Sequence, residues 1–300
     1  MPRVSVIIAT NNRPKLLPRA VESAHAAGSG VEVVVVDDAS TDETAELCRS
    51  LRQIKYVRLE RNQRVAGARN VGLVASTGDY LSFLDDDDTR LPGSLDLQIN
   101  LLEQNPETAL AYGQALYATR NGEVTREFYP RDCPQGDLFW QLLAQNFIPC
   151  GSAVFRRSAI ARLGLLDDQI PGIDDWDMWI RIAELYPIAA VPQPVVTWRR
   201  SDPRSAQGTS DAAMLVSQSV RKFQNSWMKL PRAAAASRRF RREAWGHFSE
   251  NMMEHALWQS ARSVAGGKPF RPLKNLSVLP QLDPRAVARL ITHRLVGSSK

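Results

Sequence analysis

The stretch YLSFLDDDDTRLPG, Tyr80 to Gly93, closes an apolar run with four consecutive aspartates. The run YLSFL reads as a buried strand, so like charge is concentrated where the strand leaves the core. Two carboxylates about 4 Å apart repel by roughly 4 kcal/mol at an effective dielectric near 20. The cluster therefore needs full solvation or a counter-charge, and a bound divalent cation is the sharpest candidate.

Upstream of this strand, strand and helix signals alternate. VSVIIAT (4–10) is β-rich, and Pro14 opens a segment in which Leu17, Ala20, Val21 and Ala24 recur at helical spacing. VEVVVVDD (31–38) is almost wholly apolar, as expected of a parallel strand covered on both faces. Ser40 and Glu43 fit a capping box for a helix through Leu51; YVRLE (56–60) is a third strand, and a helix follows from about Val65 to Ser76. This is repeated βα winding, and open sheets of that kind bind ligands beyond the carboxyl ends of their strands. Polar residues stand at those ends: Thr10, Asn11, Asn12 and Arg13 after the first strand, Asp37 and Asp38 after the second, Asp85 to Asp88 after the fourth. A solvated turn would explain one such group but not three.

From residue 106 to about 200 the pattern is irregular, with strand signals in ALAYGQALYA and EVTREFY and a helix signal in GDLFWQLLAQN. GSAVFRRSAIARLG reads as a strand running into a helix. DDWDMWIRIAEL (174–185) reads as a helix with acids at the positive end of its dipole, and Met178, Ile182 and Leu185 should face the core. Beyond Asp211 the chain is mostly helical and ends in an amphipathic stretch from Pro284 to Leu295.

Composition sets the class. With 300 residues, 44% hydrophobic and 23% charged, the chain suits a water-soluble, enzyme-sized protein. No apolar run approaches the ~18 residues of a membrane span, and VSVIIAT lacks a signal-peptide pattern, so a cytoplasmic chain is expected. Cys48, Cys133 and Cys150 are too scattered for a disulfide framework, and with His25, His247, His255 and His293 they make no zinc spacing. Any metal would be held by oxygen. Residues 1–209 carry 22 Lys and Arg against 27 Asp and Glu, whereas residues 210–300 carry 16 against 5, so the basicity belongs to the tail.

Five segments in order, SVIIATNNR, EVVVVDDASTDET, GARNVGLVASTGDYLSFLDDDD, NFIPCGSAVFRRSAI and GIDDWDMWIRIA, resemble the inverting glycosyltransferases of family 2 over roughly residues 3–200. The resemblance implies an α/β GT-A fold: a Rossmann-like, mostly parallel sheet flanked by helices, here with a C-terminal helical extension. It divides the chain into a glycosyltransferase domain, 1–209, and a basic helical extension, 210–300; within the domain, 1–105 is the nucleotide-binding half and 106–209 the acceptor half. It also implies a nucleotide-sugar donor, usually a UDP-sugar, with Mn2+ or Mg2+.

Site roles follow from the same resemblance. Thr10, Asn12, Arg13, Asp37, Asp38, Arg69, Asp85 and Asp86 fall in the nucleotide-sugar motifs. Only one of Asp37 and Asp38 can read the base, because adjacent strand side chains point to opposite faces. The family's D-x-D spacing falls on Asp85 and Asp87 as metal ligands, and the run of four permits a second register, Asp86 with Asp88. The second acid of IDDW, Asp175, is the candidate general base, with Asp174 and Asp177 as rivals. Trp176 and Trp179 either stack on sugar or pack in the core. Two departures are Asn11 for the usual tyrosine and Ala39 for a common glycine. Where members often carry a late histidine, TWRRSDPRS has Ser201, leaving Arg199, Arg200 and Arg204 as candidates for the diphosphate; Arg199, Arg200 and Trp176 are also candidates for the acceptor.

The expected activity is metal-dependent sugar transfer to a saccharide or lipid-linked acceptor in cell-surface polysaccharide or glycolipid synthesis. The basic tail adds peripheral contact with the anionic inner face of a membrane; an oligomer contact is the alternative use, and nucleic acid is not expected as a partner. A sugar nucleotidyltransferase should show a glycine-rich loop after the first strand, which TNNRPKLLP lacks. A non-catalytic nucleotide- or glycan-binding protein is the remaining rival.

Overall fold

The computed structural model describes residues 3–199, 212–265 and 271–289. The chain forms two compact units, Met1–Leu138 with Phe147–Asp202, and Phe139–Asn146 with Pro203–Lys300.

The first unit begins with β1 (Val4–Thr10), α1 (Leu17–Ala26), β2 (Val31–Asp37), α2 (Thr44–Ser50), β3 (Ile54–Arg58), α3 (Arg64–Ala75) and β4 (Tyr80–Asp85). It continues through β5 (Thr89–Arg90), α4 (Ser94–Gln104), β6 (Leu110–Ala118) and β7 (Val124–Tyr129). After α5 (Phe139–Ala144), which belongs to the second unit, come β8 (Val154–Arg156), α6 (Arg157–Leu163), α7 (Asp174–Leu185) and β9 (Ile188–Arg199). The strands make one sheet in the order β3-β2-β1-β4-β8-β6-β9-β5, with β7 paired to β6. Pairing is parallel from β3 to β4; β8 then runs antiparallel to both β4 and β6.

Register positions the site. Thr10 pairs with Asp37, Asp37 with Arg58, and Ala9 with Asp85, so three polar strand ends share one edge. The apolar runs are continuous because helices cover both faces. Val4, Val6 and Ile8 pack with Leu17, Ala20, Val21 and Ala24 of α1 and with Leu95, Ile99 and Leu102 of α4. Ile7, on the opposite face, lies under Gly72 of α3, where a Cβ would stand 2.3 Å from its Cγ2.

Three local expectations need correction. The helix signalled at Pro14 begins at Leu17, with Pro18 in its first turn. The capping box at Ser40 and Glu43 does not form: the Ser40 hydroxyl accepts from the Asn12 amide, and Asp42 accepts from the Thr44 amide at 2.9 Å instead. Leu185 is 41% exposed although Met178 and Ile182 are fully buried, because the core does not reach the last residue of α7.

The second unit holds α5, α8 (Ala212–Asn225), α9 (Pro231–Ala235), α10 (Arg238–Ala265) and α11 (Arg271–Leu276), and residues 284–289 are also helical. Phe223, Trp245 and Phe248 form its aromatic centre, with Phe223 and Phe248 at 4.5 Å. The amphipathic stretch expected to run to Leu295 passes outside the described residues after 289. No described helix is long and apolar enough to cross a membrane.

The contact at Gly72 generates a test. Alanine there gains about 1 kcal/mol of helix propensity but drives a methyl into a fully buried isoleucine, and overpacking costs about 1–3 kcal/mol. Gly72→Ala should therefore lower the melting temperature. A variant as stable as the parent would show that α3 lifts freely from the sheet.

Candidate active site

The acid run does not stay extended. The Asp88 amide donates to the Asp85 carbonyl at 3.1 Å, closing a turn that sends the four side chains different ways. Carboxylate oxygens of Asp85, Asp87 and Asp88 lie within 4.8 Å of one another, the one group of that kind among the described residues. Asp86 points elsewhere: its Oδ2 accepts from the Thr10 hydroxyl at 2.7 Å and its Oδ1 from Arg13 at 2.9 Å. Arg13 also reaches Asp87 at 3.1 Å, and the buried Asp88 accepts from the Arg199 amide at 2.8 Å.

Burial and crowding raise the proton affinity of Asp86, Asp87 and Asp88. Burial first, then neighbouring carboxylates, push Asp87 and Asp88 up; burial pushes Asp86 up to about 7 against the opposing charge of Arg13. Unit charges 4.8 Å apart repel by roughly 3 kcal/mol at an effective dielectric near 20. Three converging oxygen donors whose negative charge is only partly neutralised fit a hard divalent cation such as Mg2+ or Mn2+, which takes carboxylate oxygen. Asp88 joins Asp85 and Asp87 because of the turn, which strand alternation alone does not show.

At the end of β2, Asp37 is fully buried, with Oδ1 accepting from the Ser40 amide at 2.8 Å and Oδ2 from the Tyr56 hydroxyl at 2.9 Å. Arg58 stands 3.8 Å away. Asp38 accepts from the Gln63 amide at 2.6 Å, and burial pushes its carboxyl up. Ala39 takes a left-handed φ of 58°, which explains why glycine suits that position. Asn12, also left-handed at φ 54°, ties the β1 and β2 loops together by accepting from the Thr41 amide at 2.8 Å.

Arg69 joins the acid turn to α7. It is 6% exposed, lies over the Phe83 ring at 5.2 Å, and donates from Nη2 to Asp85 at 2.7 Å and from Nη1 to Asp174 at 3.1 Å. It thus ties the acid turn to the first residue of α7. The next residue, Asp175, is half-buried, and burial followed by repulsion from Asp174 pushes its carboxyl up to about 7, with Arg69 opposing. Asp177 is anchored to Arg181 at 2.9 Å, and Trp176 and Trp179 are buried.

The remaining sequence candidates separate. Arg199 turns its guanidinium to the Arg120 carbonyl, whereas Arg200, Ser201 and Arg204 lie outside the described residues. Sequence reasoning passed over Arg90, a buried cation that donates to Gln98, Ser82 and the Ala153 carbonyl, fixing the chain as it leaves the acid turn. Burial without a carboxylate partner lowers its pKa to about 9. Its position two residues after the last of the acids was the available signal.

Residues 5–164 match the sequence profile described as glycosyl transferase family 2. An uncharacterized glycosyltransferase of Haemophilus influenzae is 28% identical over 60% of this chain and 62% of its own length. A Campylobacter jejuni GalNAc(5)-diNAcBac-PP-undecaprenol beta-1,3-glucosyltransferase is 34% identical over 43% of this chain and 42% of its own. The chain thus spans less than two thirds of either relative. Among solved structures, the Pyrobaculum calidifontis mannosyltransferase PcManGT, in complex with GDP-Man and Mn2+, superposes with a TM-score of 0.60 at 20% identity, covering 100% of this chain and 81% of that one. S. aureus TarS 1-349 in complex with UDP-GlcNAc gives 0.58 at 16% identity, covering 94% and 92%. These two likenesses show the fold, that of GT-A glycosyltransferases.

Removing one partner of a buried ion pair costs about 3–5 kcal/mol, since the partner charge stays buried. Arg69→Met should therefore lower stability by about that much. Urea unfolding measures this; a loss below about 1 kcal/mol would mean that the bridge is not holding β4 to α7.

Proposed function

The chain belongs to glycosyl transferase family 2, and we propose that it transfers a sugar, with inversion, from a nucleotide-sugar donor to an acceptor hydroxyl. The observation that carries this reading is the three-carboxylate group at the end of β4, bridged by Arg69 to the Asp174–Asp175 pair. Donor complexes of PcManGT and TarS support a nucleotide sugar. A UDP-sugar is our first choice of donor, and a saccharide or lipid-linked acceptor in cell-surface polysaccharide or glycolipid synthesis our choice of pathway.

Residues 1–105 hold the donor in this reading, and residues 106–209 present the acceptor. Asp87, with Asp85 and Asp88, holds Mn2+ or Mg2+, which when bound supplies positive charge to the donor diphosphate. Arg13 keeps Asp86 and Asp87 in place from the β1 side, and in this reading Asp38 and Thr10 serve the nucleoside. Asp175 accepts the acceptor's proton as the hydroxyl attacks the anomeric carbon. A sugar hydroxyl is too weak an acid for prior ionisation, so transfer of the proton accompanies attack. Inversion follows when Asp175 acts on the side of the sugar opposite the leaving diphosphate, and no glycosyl-enzyme forms.

Asp87→Asn should sharply weaken Mn2+-dependent UDP binding in calorimetry and abolish transfer; unchanged manganese affinity and turnover would move the cation to another set of acids. Asp175→Asn keeps its shape but not its basicity, so turnover should fall about 10²- to 10⁴-fold while donor affinity stays near that of the parent. A helix-end role alone would instead cost about 1 kcal/mol of stability and leave catalysis in the folded fraction intact. Because Asp175 works ionised and its carboxyl is pushed up to about 7, kcat should rise with pH below neutrality and level off above it. A profile flat from pH 5 to 8 would remove Asp175 as the base.

A further inference from the structure

Among the described residues of the second unit, the longest exposed run is at the start of α10. Ser237 to Glu243 are seven consecutive exposed residues. A helix packed along one face buries every third or fourth residue, so the described residues of its own unit cover this end only lightly, through Trp140 and the Met228 carbonyl. Four of the seven are Arg238, Arg239, Arg241 and Arg242, and the only carboxylate is Glu243, paired with Arg239 at 3.0 Å. Arg238 and Arg242 have no carboxylate within ion-pair distance among the described residues. Cations gathered at the positive end of a helix repel both the dipole and one another. The other acids of α10 lie further along, at Glu250 and Glu254, and do not offset them.

An apolar element sits among these charges. Phe240 is 44% exposed and meets Trp140 of α5 edge-on at 4.6 Å. Together with Arg232, Ala235, Ala236 and Ser237 they line a shallow groove of ≈ 440 Å³. A part-exposed ring and guanidinium groups of which Arg238 and Arg242 have no carboxylate partner among the described residues both carry a free-energy cost. A surface with anionic phosphates above apolar chains relieves both at once. A single-stranded nucleic acid would relieve the charge, but it favours successive open ring faces along a basic track, and the edge-to-face pair of Phe240 and Trp140 is not such a track.

We propose that this arginine and aromatic surface docks the protein on an anionic lipid bilayer, with the guanidinium groups on lipid phosphates and Phe240 in the interfacial layer. The excess of 16 Lys and Arg over 5 Asp and Glu in residues 210–300 supplies the long-range attraction. This goes beyond the transferase reading and does not depend on it.

Vesicle flotation of the full chain tests the proposal, using phosphatidylcholine with and without about one third phosphatidylglycerol. The protein should float with anionic vesicles at low salt, at least tenfold less with neutral ones, and much less at about 0.5 M salt, where screening is short-ranged. Changing Arg238, Arg239, Arg241 and Arg242 together to Gln should reduce binding at least tenfold. The same charge removed at exposed Arg52, Arg61, Arg126 and Arg162 should reduce it less than threefold, with melting temperature confirming that both variants fold. Phe240→Ser should leave binding that salt abolishes more readily. The proposal is overturned if the parent does not bind anionic vesicles, if the two quadruple variants lose binding equally, or if a labelled single-stranded oligonucleotide binds where vesicles do not.

Discussion

Four carboxylates at the end of β4 are compatible with a folded chain because each meets a cation or a hydrogen-bond donor. Arg69 takes Asp85, Thr10 and Arg13 take Asp86, Arg13 also takes Asp87, and the Arg199 amide takes Asp88. Those partners come from α3, the end of β1 and the end of β9, segments brought together by the parallel order β2-β1-β4 and the mixed pairing beyond it. Without that distribution the turn would be a point of like charge, and the edge of the sheet would have nothing to organise around.

The neutralisation is incomplete, and the residue of charge gives the site its chemistry. Asp86 is absorbed into the protein, whereas Asp85, Asp87 and Asp88 still converge, with the last two holding protons more tightly than ordinary carboxyls. A fold selected for stability alone has no use for such an arrangement; perturbed groups cluster where they act. Arg69 extends the same logic across the site. Its guanidinium links Asp85 to Asp174, the residue beside Asp175, so in the proposed reaction the acid turn and the proposed base are positioned by one buried side chain.

Much of this was legible in the sequence, for physical reasons. Strands buried on both faces read as apolar runs, and α7 covers the segment DDWDMWIRIAEL end to end because its acids and its apolar row agree. Interactions that depend on a turn or on distant partners were not legible. Strand alternation placed Asp85 with Asp87 but could not foresee that the Asp88 amide closes back on Asp85. Ser40 satisfied a local capping rule, yet the Asn12 amide, 28 residues away, claims its hydroxyl. Asp37 and Asp38 were equivalent in sequence; in the fold, Asp37 is bound within the protein by Ser40 and Tyr56. Arg69 was readable as a site cation, but its partner Asp174 lies 105 residues further on.

The central claim is that the acid turn is a cation site facing a nucleotide, and the anomalous scattering of manganese tests it most directly. Crystals of the protein grown with Mn2+ and UDP should show one anomalous peak ligated by Asp87 together with Asp85 or Asp88, and by the diphosphate, with Asp86 still held by Thr10 and Arg13. Manganese ligated by Asp86, or UDP bound with no anomalous peak at this turn, would contradict the account.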